Sequence, residues 1–250
     1  MQSDSAAQQT KAEDMGDYWL LNGAKVFITN GAYADTFMCL AMTDKSKGNH
    51  GISAFILEKG DEGFSIGKTE DKLGIRASST TELIFQNCKI PKDRLLGELN
   101  GGFKVAMATL EGGRIGIAAQ AVGVAQGAFD LTVEYMKQRK QFGKKLSQFQ
   151  YLAFEMAEMK TKIHASRLLV YEAACLKDAH KPHAVNSAMA KYYAADTAMQ
   201  TAVKCVQFHG GYGFTKDYPI ERYFRDAKIT EIYEGTSEVQ KLIISNNIFK

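Results

Sequence analysis

The stretch Ile232-Tyr233-Glu234-Gly235-Thr236-Ser237-Glu238 gathers carboxylates and hydroxyls around one glycine, where a loop gives way to a helix. Ser237 and Gln240 fit a Ser-x-x-Gln capping box, which marks Ser237 as the residue that starts the helix. A helix start carries free backbone N–H groups, and these suit phosphate or another anionic group. Glu234 precedes that start and follows the apolar pair Ile232-Tyr233. Burial there would raise a carboxyl's pKa towards that of a working base, while the helix dipole would pull it down. Read bare, Glu234 is either a general base or a solvated loop carboxylate.

Four further segments carry residues that could hold a ligand. Gln207-Phe208-His209-Gly210-Gly211-Tyr212-Gly213-Phe214 lies between helical patterns and is rich in glycine. Glycine lets a backbone approach a ligand closely or take a positive φ, so this is a ligand-facing turn or simply a turn. Arg139-Lys140-Gln141-Phe142-Gly143 follows a long helical pattern, and Gln150 opens the next one. Basic residues suit a last helical turn, with Gly143 as its stop. Glu111-Gly112-Gly113-Arg114 lies inside a helical pattern, where two glycines cost roughly 1–2 kcal/mol relative to alanine. Such a cost points to close approach by another helix or by a ligand. Phe27-Ile28-Thr29-Asn30 ends a strand with polar groups and is either a strand edge or part of a site.

These segments sit on two kinds of element. From about Tyr18 to Ile90 the chain reads as short β-rich runs: YWLLN, AKVFIT, TFMCLAMT, ISAFILE, FSIGK and TELIFQNCKI. Asn22-Gly23 between the first two is the strongest short hairpin signal. Strands at this spacing predict an antiparallel sheet or small barrel. Before them, MQSDSAAQQTKAED reads as the middle of a loop. Pro91 and the charged stretch to Glu98 mark a boundary. From Gly102 onward apolar residues recur at i, i+3, i+4, in FKVAMATL, IGIAAQAVGVAQGAFDLTVEYMKQ, FQYLAFEMAEMKTKIHASRLLVYEAACL and AVNSAMAKYYAADTAMQTAVKCVQF. Pro182 and Pro219 fall between helical patterns, and long helices with short loops predict an antiparallel bundle. The fold class is therefore α+β: an antiparallel β-domain over 1–95, then an all-α four-helix-bundle domain over 96–250.

Composition narrows the function classes. The 250 residues are 45% hydrophobic and 24% charged, which is ordinary for a globular protein. Thirty-one basic against 28 acidic residues is too even a balance to argue for nucleic acid. No apolar run approaches the roughly 20 residues of a membrane helix. Cys39, Cys88, Cys175 and Cys205 are widely spaced, with no metal-ligand pattern. They read as reduced thiols of a cytosolic or matrix-like compartment.

Taken together and in this order, NGAKVFITNG, DKLGIRASSTTEL, RKQFGKKLSQFQ, QFHGGYGF and above all IYEGTSEVQ resemble the acyl-CoA dehydrogenase family across essentially the whole chain. The likeness is greatest to its short-chain, butyryl-CoA-type members. The resemblance implies FAD as cofactor, an acyl-CoA thioester as substrate and an electron-transfer flavoprotein as redox partner. It also implies a homo-oligomer, a dimer of dimers. In the family an N-terminal helical domain precedes the two domains read here, and the resemblance implies that the given sequence does not include it.

Position by position, the resemblance makes Glu234 the base that takes the α-proton. It sets Gly235 along the thioester and Thr236, Ser237 and Glu238 beside the flavin's phosphates. Phe27, Ile28 and Thr29 match the strand against the flavin ring, where the family often has Trp in place of Phe27. Arg139, Gln150, Gln207, Phe208, His209, Gly210 and Gly211 match residues that reach FAD in a neighbouring subunit. Ser3, Glu111, Gly112, Gly113 and Arg114 match positions that contact the CoA part. Some relatives carry the base just before that arginine, where this chain has Gly113. A bacterial cytoplasmic location is expected ahead of a mitochondrial matrix one. Two other readings remain: a flavin-free module that only oligomerises, and an oxidase that reduces oxygen.

Overall fold

The computed structural model describes residues 8–250. Ser3, matched to the CoA part of the substrate, lies outside the described residues. The chain divides into two compact units, one formed by residues up to Lys72 with Arg76–Thr109, the other by Leu73–Ile75 with Leu110–Lys250.

The first unit is a seven-stranded sheet: β1 (Lys11–Asp14), β2 (Tyr18–Thr29), β3 (Thr36–Met42), β4 (Ile52–Glu58), β5 (Phe64–Thr69), β6 (Thr80–Pro91) and β7 (Leu95–Leu96). The spatial order is β5-β6-β2-β1-β3-β4-β7. Alternate residues of β2, β3 and β6 point inward, so Trp19, Leu21, Phe37, Cys39, Leu83 and Phe85 are buried in one core. Full burial of a side chain such as Leu21 or Phe55 is worth roughly 1.5–3 kcal/mol. Phe37 on β3 and Phe64 on β5 are four places apart in the sheet, yet their rings meet at 5.1 Å. The sheet therefore curls round its aromatic core in the manner of a barrel.

Three details differ from the sequence expectations. Lys11–Asp14 is a strand, and it pairs with β2 antiparallel but with β3 parallel, through Lys11 and Met42. The sheet is thus not purely antiparallel. Asn22-Gly23 makes no hairpin: β2 runs straight through it, with a register shift against β6 between Leu21 and Gly23. Gly23 sits at φ 137°, and a Cβ there would come within 2.8 Å of the Thr10 Cα. Glycine is needed for the close passage of another segment, and no turn requires it.

The remaining long elements are helices: α1 (Gly102–Gln138), whose residues up to Thr109 belong to the first unit and the rest to the second, and, in the second unit, α2 (Gln150–Asp178), α3 (Ala184–His209), α4 (Ile220–Thr230) and α5 (Ser237–Ile248). The patterns FKVAMATL and IGIAAQ belong to one helix, α1, which runs unbroken through Gly112-Gly113. Helix α4 has no counterpart among the predicted patterns. Gly143 does not stop a helix. Phe142 (φ 50°) and Gly143 (φ 79°) instead form the turn of a small hairpin between β8 (Lys140–Gln141) and β9 (Lys144–Lys145). The helices meet along a seam of small side chains: Ala118, Ala121 and Ala125 of α1, Ala190, Ala194, Ala198 and Ala202 of α3, and Ala227 of α4. Short side chains let helix backbones approach closely. No helix is long and apolar enough to cross a membrane among the described residues.

Candidate active site

Between α4 and α5 the chain makes a tight loop, closed by the Ser237 N–H donating to the Glu231 carbonyl at 3.0 Å. Two consecutive residues in it are left-handed, Glu234 at φ 55° and Gly235 at φ 90°. Glycine adopts that conformation freely, whereas for glutamate it is strained and must be held by its surroundings. The holding groups are visible. Gln240 on α5 is fully buried, and its Nε2 donates to the Glu234 carbonyl at 3.2 Å and the Gly235 carbonyl at 2.8 Å. Lys191 on α3, also fully buried, donates from Nζ to the same Gly235 carbonyl at 2.7 Å. The Tyr233 hydroxyl donates to Gln120 Oε1 on α1.

The start of α5 is capped one residue earlier than its sequence suggests. Thr236 is the N-cap, its hydroxyl accepting from the Val239 N–H at 3.4 Å, and Ser237 is the first helical residue. Gln240 is thereby released from a capping box and turns its amide onto the loop carbonyls.

The side chain of Glu234 lies across α1 at Gly113. A Cβ built on Gly113 would stand 2.5 Å from Glu234 Oε2 and 3.0 Å from its Cδ. Burial raises the Glu234 pKa above the ordinary carboxylate value, and the positive charges of Arg114 and Lys191 moderate that rise. Arg114 is itself buried, with its Nε lacking a hydrogen-bond partner. Burial also brings the Lys191 pKa down to about 8. The result is a half-buried carboxylate facing two buried basic side chains, Arg114 and Lys191. Glu238 is exposed on α5, and hydrogen bonds from its own amide and from Thr236 lower its pKa. It has none of the features of a base. Of the CoA-matched residues, Gly112 faces the Lys177 ammonium, 2.9 Å from where its Cβ would be.

A second group forms where α1 and α3 end. Arg139, Phe208, His209, Gly210 and Gly211 line a cavity of about 490 Å³ with Tyr135 and Tyr212. His209 is buried, stacked on Tyr135 with ring centroids 4.2 Å apart. Its Nδ1 donates to the Cys205 carbonyl at 2.8 Å, and burial lowers its pKa, so the ring is neutral and its Nε2 is a buried acceptor without a partner. Cβ atoms at Gly210 or Gly211 would meet nothing within 4 Å, so the glycines leave this wall bare. Gln150, first residue of α2, and Gln207 are exposed and stand outside the cavity lining.

On the sheet unit, Phe27 is left-handed at φ 58° and 53% exposed, at a register shift of β2 between Lys25 and Ile28. Ile28 packs on the core, and Thr29 pairs with Thr80. No grouping of His, Cys, Asp and Glu suits a metal ion among the described residues.

Sequence reasoning missed Lys191 and Tyr135. A lysine amid a helical run reads as a solvent-facing charge. Yet Lys191 shares its helix face with Ala188, Ala194, Ala195 and Ala198, all of them buried. That spacing was the available signal.

Residues 1–88 match the middle domain of acyl-CoA dehydrogenases, and residues 100–249 match their C-terminal domain. The chain is 60% identical over 248 residues to the short-chain specific acyl-CoA dehydrogenase of Clostridium acetobutylicum, covering 99% of this chain and 65% of that protein. The three-dimensional structure of butyryl-CoA dehydrogenase from Megasphaera elsdenii superposes with a TM-score of 0.98 at 54% identity, over 99% of this chain and 65% of that one. A chain solved in work on the electron-transferring flavoprotein of Acidaminococcus fermentans gives a TM-score of 0.98 at 56% identity, over 100% of this chain and 66% of its own length. This chain thus spans about two thirds of the length of these relatives. By its two matched domains, its fold and its identity to these proteins, the chain belongs to the acyl-CoA dehydrogenase family.

Proposed function

We propose that the protein carrying this chain oxidises short-chain acyl-CoA thioesters to trans-2-enoyl-CoA, with Glu234 as the base that removes the α-proton. The observation that carries this reading is the carboxylate itself: raised in pKa by burial, set on a strained and clamped loop, and seated in the space left by Gly113. A thioester α-proton is weakly acidic, so a base must be accurately placed to remove it. FAD, when bound, supplies the acceptor for the hydride that leaves the β-carbon and passes the electron pair to an electron-transfer flavoprotein.

The residues present fit that cofactor. The bare glycine wall and the cation of Arg139 make the second cavity suitable for a polar, anionic group, and the unpartnered His209 Nε2, an acceptor, would take a donor such as a hydroxyl or amino group of the cofactor. Arg139 and Gln207 to Gly211, with Gln150, would hold FAD of a neighbouring subunit in a dimer of dimers. Phe27, Ile28 and Thr29 would cover the flavin ring, and Thr236 to Glu238 would lie beside its phosphates. Gly235 would lie along the thioester, and Glu111 to Arg114 would meet the CoA part.

The test is colour. The purified protein should show flavin absorbance and bleach anaerobically on adding butyryl-CoA. Protein without flavin would favour a module that only oligomerises. Flavin that reoxidises rapidly in air after reduction would favour an oxidase.

A further inference from the structure

We propose that Lys191 is a positioning residue that holds Glu234 in its working conformation through the Gly235 carbonyl; this rests on the dehydrogenase reading above. A lysine with no exposed surface is rare unless its charge is matched, because desolvating an ammonium is costly. Here the Nζ donates to Gly235 O at 2.7 Å. That carbonyl also accepts from Gln240 Nε2 at 2.8 Å, so two buried donors from two helices converge on a single oxygen. The carbonyl belongs to the residue immediately after the left-handed Glu234. Fixing the Gly235 peptide restricts the backbone rotation that would otherwise let Glu234 relax and swing its carboxylate away from Gly113. A strained residue of this kind persists only where its surroundings over-determine it.

The charge of Lys191 reaches the base as well. Glu234 faces Arg114 from α1 and Lys191 from α3, and both favour its ionised form. Lys191 in turn faces Glu231 and Glu234 of the loop, Glu238 of α5 and Arg114 of α1. Lys191 therefore acts on Glu234 in two separable ways, by geometry and by charge. Gln240 acts by geometry alone.

The experiment compares Lys191→Met and Gln240→Met with the wild type in the FAD-loaded protein. It follows flavin bleaching by butyryl-CoA across pH and amide hydrogen exchange at Ser237. Loss of a buried donor should slow bleaching at saturating butyryl-CoA by about 10- to 100-fold in either variant, with the half-saturating concentration little changed. Only Lys191→Met should move the acid limb of the pH profile upward, since only it removes a positive charge beside Glu234. Both should speed exchange of the Ser237 amide, which closes the loop. Wild-type bleaching rates and unchanged Ser237 exchange in Lys191→Met would overturn the proposal. If that variant fails to fold, Gln240→Met decides: slower bleaching with an unmoved acid limb supports the clamp, and wild-type behaviour overturns it. Hydrogen exchange needs no turnover. Faster exchange in a protein whose wild type does not bleach would therefore sink the dehydrogenase reading and leave the clamp standing.

Discussion

The Glu234 carboxylate lies where Gly113 has no side chain: a methyl group on Gly113 would come within 2.5 Å of Oε2. Helix α1 and the loop before α5 are far apart in sequence, yet they compete for one small volume. A glycine in mid-helix, unfavourable by propensity, is what gives that volume to the base.

Gly113→Ala should therefore separate stability from activity. The obstructing atoms are the far end of a flexible side chain, so the helix can accept the methyl while Glu234 turns aside. Alanine in a helix interior is favoured over glycine by up to about 1 kcal/mol, and the melting temperature should hold or rise. A displacement of about 1 Å can cost roughly 10²-fold in rate, so bleaching by butyryl-CoA should slow by a factor of that order. Scanning calorimetry and stopped-flow absorbance check the two halves. Equal activity in the two proteins would mean that the carboxylate can work from elsewhere.

Glu234→Gln should leave FAD bound and butyryl-CoA affinity nearly unchanged, because the amide keeps the shape. Bleaching should fall by at least the roughly 10²–10⁴-fold that a positioned base contributes. Glu231→Gln and Glu238→Gln should cost far less, with Glu238→Gln weakening FAD instead. Near wild-type reduction in Glu234→Gln would place the base at another residue.

The pH dependence has a definite sign. Burial raises the Glu234 pKa, so kcat/KM should rise with pH through a value above that of an ordinary glutamate. Lys191 gives a second sign, in stability. Its pKa falls from 10.5 unfolded to about 8 folded, so between those values the unfolded chain binds more protons than the native one. Stability contributed by this group therefore increases as pH rises from about 8 towards 10.5. Measured by denaturant unfolding, the wild type should gain on Lys191→Met across that window. A constant gap between them would mean that Lys191 titrates normally.

Self-association should run through the helical unit. Phe142 and Phe214 are each 93% exposed, and Gln150 and Gln207, proposed above to hold a neighbour's FAD, are exposed as well. Sedimentation of the FAD-loaded protein at micromolar concentration should show an oligomer. A strict monomer would remove the basis for assigning Gln150 and Gln207 to a neighbour's flavin.

Much of this was legible in sequence because periodicity reports burial directly. TFMCLAMT alternates and forms β3, and ISAFILE forms β4. Lys11–Asp14 escaped because only Ala12 of its four residues is buried, so neither face is marked. Asn22-Gly23 misled because glycine there makes room for Thr10, and a residue distant in sequence leaves no local trace. Helix α4 was hidden by its charges: only Ile220, Ala227 and Thr230 are buried. Glu234 could be named from its motif, but what surrounds it could not. Gly113, Lys191 and Gln240 reach it from three different helices, and no spacing rule links them.

The alanine seam has a mechanical consequence. Alanine has no χ angle to rotate, so an interface built from it cannot absorb a misfit by repacking. A larger residue at Ala190 or Ala194 could be accommodated only by moving α3 as a stiff rod. Lys191 lies between those positions and would travel with the rod, taking its grip on the Gly235 carbonyl with it.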